Sequence, residues 1–230
     1  MAPIEIDLTN TTVEKVGKEA TKIIRVANFF AQPEAVLEAA SRQSFMNVNS
    51  LFPGVRAPAE PELLDGICTS VAQMASTHLN RPDVQWQGQA WYSIVTQTPQ
   101  KLLPLQRLPH FDGLDEEQVA VMIYLNHTEH GGTAFFRHKS SGFEHVTDRR
   151  FPDYRTQLES EVASSGMPDA HYVTSGEPYF EKIADFGAEF NSLILYPSTL
   201  LHSGVIDNEA PLPSDAKTGR FTLNGFFKPK

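Results

Sequence analysis

A chain of 230 residues with 40% hydrophobic content is long enough to bury one sizeable core. Its net charge of -9 and isoelectric point near 5.3 argue against nucleic acid held on a broad basic face, because neutralising phosphates takes clustered Lys and Arg. The single cysteine, Cys68, excludes an intrachain disulfide and a thiolate metal cluster.

The opening residues, MAPIEIDLTN, lack a basic segment followed by an apolar one, so no signal peptide is expected. No apolar run approaches the ~20 residues of a membrane span, and the cytoplasm is the expected compartment. Asn10-Thr11-Thr12 and Asn126-His127-Thr128 match a glycosylation acceptor pattern that is idle without export. Ile4–Leu8 and Lys22–Phe30 read as strands, rich in β-branched and aromatic residues. Pro33 suits a helix first turn, and Ala35–Arg42 carries apolar residues at helical spacing. Phe52-Pro53-Gly54 marks a turn. Glu62–His78 is the clearest helix, with Leu63, Leu64, Ile67, Val71 and Met74 on one apolar face.

From Val84 onwards short strand candidates alternate with turn residues: Trp86–Thr98, Gln118–Asn126, Thr133–His138, Asn191–Tyr196, Gly204–Asp207 and Arg220–Phe227. Such spacing predicts a mainly β sandwich or jelly roll with flanking helices. The stretch Phe151–Phe190 interrupts the strands with helical signals at Tyr154–Ala163 and Pro178–Phe186. It reads as an insertion, bounded at about 142–190, that crosses one mouth of the barrel as a lid. The expected organisation is a single domain. Residues 1–83 supply N-terminal strands and supporting helices, and 84–230 the core. Arg149-Arg150, a small basic cluster, reads as a solvated helix start.

Three segments carry candidate chemistry: Leu108-Pro109-His110-Phe111-Asp112-Gly113, Leu200-Leu201-His202-Ser203-Gly204 and Gly219-Arg220-Phe221-Thr222-Leu223-Asn224. In extended backbone, residues two apart point to the same side, so His110 and Asp112 can chelate one ion, with His202 brought in by a later strand. Two histidines and one carboxylate leave open positions on a metal, the set that non-haem Fe(II) oxygenases use. His-x-Asp alone is two residues of common type, a single histidine after an apolar run is more often a core residue, and an arginine at a strand start is usually solvated or paired. The weight lies in their order and context together.

Those segments resemble the Fe(II)/2-oxoglutarate-dependent oxygenases, specifically their prolyl-hydroxylase-like branch, over about Trp86–Phe227. His110-Phe111-Asp112 stands where the branch has its His-x-Asp. Val119–Asn126, ending Tyr124-Leu125-Asn126, resembles the next core strand, and Gly131-Gly132-Thr133 to Arg137 the Gly-Gly turn and strand after it. Leu193–His202 is similar to the apolar strand that leads to the distal histidine, and Arg220–Phe227 to an Arg-led final strand. The whole chain also resembles an uncharacterised bacterial family of such proteins, through Asn28-Phe29-Phe30 and the Phe-Pro-Gly turn.

The resemblance implies a double-stranded β-helix, Fe(II) on His110, Asp112 and His202, and 2-oxoglutarate as co-substrate. Arg220 would grip its C5 carboxylate, as a planar guanidinium fork suits a carboxylate, and Tyr124 would donate a hydrogen bond to it. O2 and a small-molecule or amino-acid/peptide substrate would be the other reactants. Asp112 stands where halogenating relatives usually have Gly or Ala, which favours hydroxylation or a related oxidation.

Two features depart from the pattern. The interval from His202 to Arg220 is longer than in many relatives, and its extra residues, Asp207–Thr218, read as a hairpin loop. Upstream positions that often hold tyrosines are Arg107 and Gln100, so prolyl specificity is not carried over. Arg107, Arg137, His138 and Lys139 are expected near the mouth, where each could meet an anionic group or sit as a solvated edge residue. The alternatives are a jelly-roll protein that keeps a metal without turnover, and a cupin-like metalloenzyme without 2-oxoglutarate, which would leave Arg220 unexplained.

Overall fold

The computed structural model describes residues 4–48, 51–81, 84–126, 131–175 and 178–230. Among these residues ten strands and three α-helices follow in chain order: β1 (Thr11–Val16), β2 (Thr21–Val26), α1 (Pro33–Ser41), β3 (Gly54–Pro58), α2 (Pro61–Leu79), β4 (Trp86–Val95), β5 (Val119–Tyr124), β6 (Thr133–His138), α3 (Phe151–Ser165), β7 (Phe180–Phe186), β8 (Ser192–Pro197), β9 (His202–Gly204) and β10 (Arg220–Pro229). The fold is mainly antiparallel β. One sheet has seven strands in the order β1-β2-β8-β5-β10-β4-β3, and the other three in the order β7-β6-β9.

Register decides what each face of the large sheet carries, because residues opposite one another in an antiparallel pair point to the same side. Tyr92 and Ile94 of β4 pair with Leu223 and Phe221 of β10, and Leu223 with Ile123 of β5, which faces Leu193 of β8. These side chains form the outer face and pack on α2. Pro61 opens that helix and Asn80 closes it in the left-handed conformation, while Leu63, Ile67, Val71 and Met74 are its buried stripe. Burying one such side chain stabilises the fold by ~1.5–3 kcal/mol.

The opposite face carries Tyr124, Ile194, Tyr196 and Ala120 and meets Phe135 and Phe186 from the smaller sheet and Leu200 just before β9. Phe135 and Tyr196 touch edge to face across the gap, ring centres 5.0 Å apart. The smaller sheet is covered on its far side by α3, through Tyr154, Phe136, Phe180 and Leu201. Each sheet is therefore buried on one face by the other and on its second face by helix.

Several expected elements differ in the structure. Ile4–Leu8 makes only the isolated bridge Ile6–Phe30, and the first strand is β1, whose alternation is faint because it is an edge strand with four of six residues exposed. The Phe-Pro-Gly turn leads directly into β3, which was not foreseen. Pro178–Phe186 is no helix: β7 pairs with the whole of β6. Its Glu, Lys and Ala favour helix by only tenths of a kcal/mol each, less than the pairing and the burial of Phe180 and Phe186 supply. The insertion thus supplies a sheet strand as well as helix. His202 opens β9 rather than ending the apolar strand before it, since β8 stops at Pro197. Asp207–Thr218 is likewise no hairpin. It crosses from β9 in the small sheet to β10 in the large one. Asn126 is described, but His127 and Thr128 of the second glycosylation pattern lie outside the described residues.

Candidate metal centre

His110 and His202 form a bridge outside the regular ladder: each backbone N–H donates to the other's carbonyl at 2.8 Å. Opposed in this way, the two imidazoles project to one side, with ring centres 4.4 Å apart. Two residues on, the Asp112 N–H donates to Ser198 O at 2.8 Å, which fixes its side chain beside them. Ser198 in turn is held by Gln118: its N–H donates to the Gln118 carbonyl, and its hydroxyl oxygen accepts from the Gln118 side-chain amide.

The Asp112 carboxylate lies 3.8 Å from His110 Nε2 and 3.3 Å from His202 Nε2. One donor atom from each of the three residues falls within 4.8 Å of the others. Adjacent ligands of an octahedral metal stand about 3 Å apart when bonds are about 2.1 Å, so small side-chain adjustments suffice. His202 is already oriented: its Nδ1 donates to Leu200 O at 2.8 Å, which leaves the Nε2 lone pair facing Asp112.

Electrostatics fit a cation site. Burial pushes His202 down to about 4, so it is neutral and able to ligate at physiological pH. His110 is pushed the same way, by the protein around it and then by His202, although 53% of its side chain still faces solvent. Burial raises Asp112 to about 6, against the pull of His110 and Arg56. A divalent ion would reverse the penalty on the carboxylate.

Arg220, at the start of β10, is buried, and burial lowers its pKa. Among the described residues no carboxylate pairs with it: Nε donates to Gly131 O at 3.2 Å and Nη2 to Gly132 O at 3.0 Å. Gly204 of β9 lies against the guanidinium, where a Cβ would come within 3.3 Å of Nη2. Tyr124, Tyr172 and Tyr196 surround it closely enough for charge to couple. The Tyr124 hydroxyl shares a hydrogen bond of 2.8 Å with Thr133. If Thr133 donates, the phenol proton is free for another acceptor.

All five expected site residues thus lie at the face between the sheets. Tyr196, which stands edge-on to His202 at 4.8 Å and couples to Asp112, was not foreseen. Only the two-residue alternation within an all-apolar strand marks it as inward-facing. Tyr172 and Arg56 were missed as well, the latter on β3, a strand not expected after the Phe-Pro-Gly turn. Conversely, Arg137 is a structural cation, bound to Glu144 and Glu181, and His138 bonds Glu161 and Ser141. Arg107 donates to the carbonyls of Leu102 and Pro168, and Lys139 to that of Pro178. Arg150 pairs with Glu19 at the start of α3. No helix of the described residues is long and apolar enough to cross a membrane.

An antiparallel two-sheet fold with a His-Asp-His cluster between its sheets defines the class of structure. Residues 8–227 match a family of unknown function (DUF6445), to which the chain belongs. No curated protein matches it. Among solved structures the chain shares its fold with HygX from Streptomyces hygroscopicus with nickel, 2-oxoglutarate and hygromycin B bound. The TM-score is 0.50 at 13% identity, covering 92% of this chain and 84% of that one. HygX with nickel and 2-oxoglutarate alone gives the same values. A prolyl-4-hydroxylase from Pseudomonas putida has a TM-score of 0.49 at 12% identity, over 92% of this chain and 95% of that one.

Proposed function

We propose that this protein is an Fe(II)- and 2-oxoglutarate-dependent dioxygenase on a double-stranded β-helix, oxidising a C–H bond of a small-molecule or amino-acid/peptide substrate. The observation that carries this reading is the pairing of two features on one face. A cluster of two neutral imidazoles and a carboxylate shares that face with a buried arginine that no acid neutralises among the described residues. Nickel and 2-oxoglutarate on the same fold in HygX support it.

In this reading His110, Asp112 and His202 hold the metal, Arg220 the far carboxylate of 2-oxoglutarate, and Tyr124 stands beside that carboxylate as a donor. Iron and 2-oxoglutarate, when bound, supply the oxidising chemistry, in which O2 is consumed and the 2-oxo acid is split to succinate and CO2. The chain's own contribution is placement. Leu200 O fixes the His202 ring, the Gly131 and Gly132 carbonyls aim the Arg220 fork, and Phe135 and Tyr196 exclude water behind the ligands.

The test is a two-by-two anaerobic titration. Arg220→Ala should leave Fe(II) affinity nearly intact and weaken 2-oxoglutarate by ~2–5 kcal/mol, roughly thirtyfold to several-thousandfold. Pyruvate, which lacks the distal carboxylate, should bind wild type and variant alike. Equal 2-oxoglutarate affinity in the two proteins would overturn the assignment.

A further inference from the structure

The proposed function leaves Arg56 unexplained, although its charge reaches the metal ligands. It lies on β3 opposite Ser93 of β4, and Ser93 bonds Asn224 of β10. Register therefore puts Arg56, Trp91 and Asn224 on the same inward face as Arg220 and Tyr124. The guanidinium stacks over Phe52 at 4.2 Å and Trp91 at 5.5 Å. Its Nε is buried with no hydrogen-bond partner, and among the described residues no carboxylate pairs with it. Its charge acts on both His110 and Asp112.

A cation half withdrawn from water without an acceptor is costly, and two aromatic faces return only part of that cost. Asp112 is the nearby negative group, but it would be spent on the metal. A divalent ion, Arg220 and Arg56 then exceed Asp112 and doubly charged 2-oxoglutarate by one positive charge. The surplus sits at Arg56. Beside the two aromatic rings stands Met46, bridged to Arg56 through the backbone and 63% exposed, so the guanidinium has apolar neighbours that a ligand can reach.

We infer that Arg56 receives a carboxylate of the substrate, so that the protein acts on a carboxylic acid with an apolar body, held with its carboxylate on Arg56 and its reacting carbon toward the metal. This rests on the proposed function for the metal and co-substrate, and adds to it the substrate's class. A guanidinium faced by aromatic rings suits a planar acid, because its fork can meet a carboxylate through two parallel hydrogen bonds while the rings pack on its faces.

The probes are 3-phenylpropionate and its uncharged amide, with Mn(II) in place of Fe(II) and 2-oxoglutarate at saturation. Line broadening of probe protons by Mn(II) reports binding beside the metal without turnover. Wild type should bind the acid at least tenfold more tightly than the amide. Arg56→Gln should lose that preference while keeping Mn(II) and 2-oxoglutarate affinity, and Arg56→Lys should keep part of it. Equal binding of acid and amide by wild type, or no binding of the acid, overturns the inference without needing a variant that folds. So does an Arg56→Gln protein that binds the acid like wild type. Loss of 2-oxoglutarate binding in Arg56→Gln also overturns it, by assigning Arg56 to the co-substrate. If 2-oxoglutarate fails to bind wild type while the Arg56-dependent preference for the acid persists, the co-substrate reading fails and the role of Arg56 stands.

Discussion

At the scale of single residues the candidate centre is a place where the fold bears a cost. Asp112 is 13% exposed and its carboxyl is raised from 3.8 to about 6 by burial. Its folded value lies above its unfolded one, so the associated penalty is absent below pH 3.8 and fully present above about 6. The difference corresponds to about 3 kcal/mol as an upper figure. Asp112→Asn should therefore stabilise the metal-free protein at pH 7, and the gain should vanish by pH 4. Urea denaturation in chelator at both pH values measures it. The same variant should lose tight metal binding, and wild-type metal affinity should fall as pH drops through about 6, where a proton competes for the carboxylate. That His110, Asp112 and His202 come together was legible in the sequence, because the chemistry restricts such a set to few residue types. Arg56 and Tyr196 were not, because only the register of strands far apart in sequence brings them to the same face.

At the scale of elements, strong periodicity read well and propensity alone did not. The apolar stripe of α2 and the compact β6 stand where their patterns put them, while β7 hid behind helix-favouring residues and was fixed only by its partner. The Gly131-Gly132 pair shows why glycine is needed where β6 begins. A Cβ on Gly132 would lie 1.7 Å from Phe186 O, and one on Gly131 1.9 Å from Val205 O, both backbone atoms with little room to yield. The carbonyls of Gly131 and Gly132 themselves hold Arg220. Gly132→Ala should cost ~1–3 kcal/mol of stability through crowding. It should also weaken 2-oxoglutarate more than metal, because it shifts an acceptor of Arg220 and touches no ligand. Calorimetric titration of both ligands separates the effects; a larger loss for the metal would contradict this account.

Across the whole molecule, Glu144 ties the chain's beginning to its middle. Its buried carboxylate accepts the N–H of Lys18 and Glu19 in the β1–β2 turn and two bonds from Arg137 of β6. Burial opposes its ionisation, yet these donors hold its pKa below the ordinary range. Gly17 makes room for it with φ of +68°, since a Cβ there would collide with the carboxylate. Glu144→Ala leaves Arg137 with only the more exposed Glu181, and should cost ~3–5 kcal/mol, read by chemical denaturation of the metal-free protein. Nothing local announces such a residue in sequence. It lies in a loop, and the Lys18 and Glu19 amides that it accepts from are more than a hundred positions away.

The bridge between His110 and His202 has a consequence for how the protein opens. The stretch between β4 and β5 reaches the smaller sheet through that pair of backbone bonds, and the segment leading into β9 through the one from Asp112 to Ser198. A metal held by side chains of the same three residues would act as a latch on this seam. Local opening that breaks the seam must also release the ion, so its free energy rises with metal concentration by mass action. Native-state hydrogen exchange should register this directly. The amides of His110, Asp112 and His202 should gain protection with each increment of metal, while those of β1, at the far edge of the large sheet, exchange as before. The supply of iron would then set the working lifetime of the site as well as its chemistry.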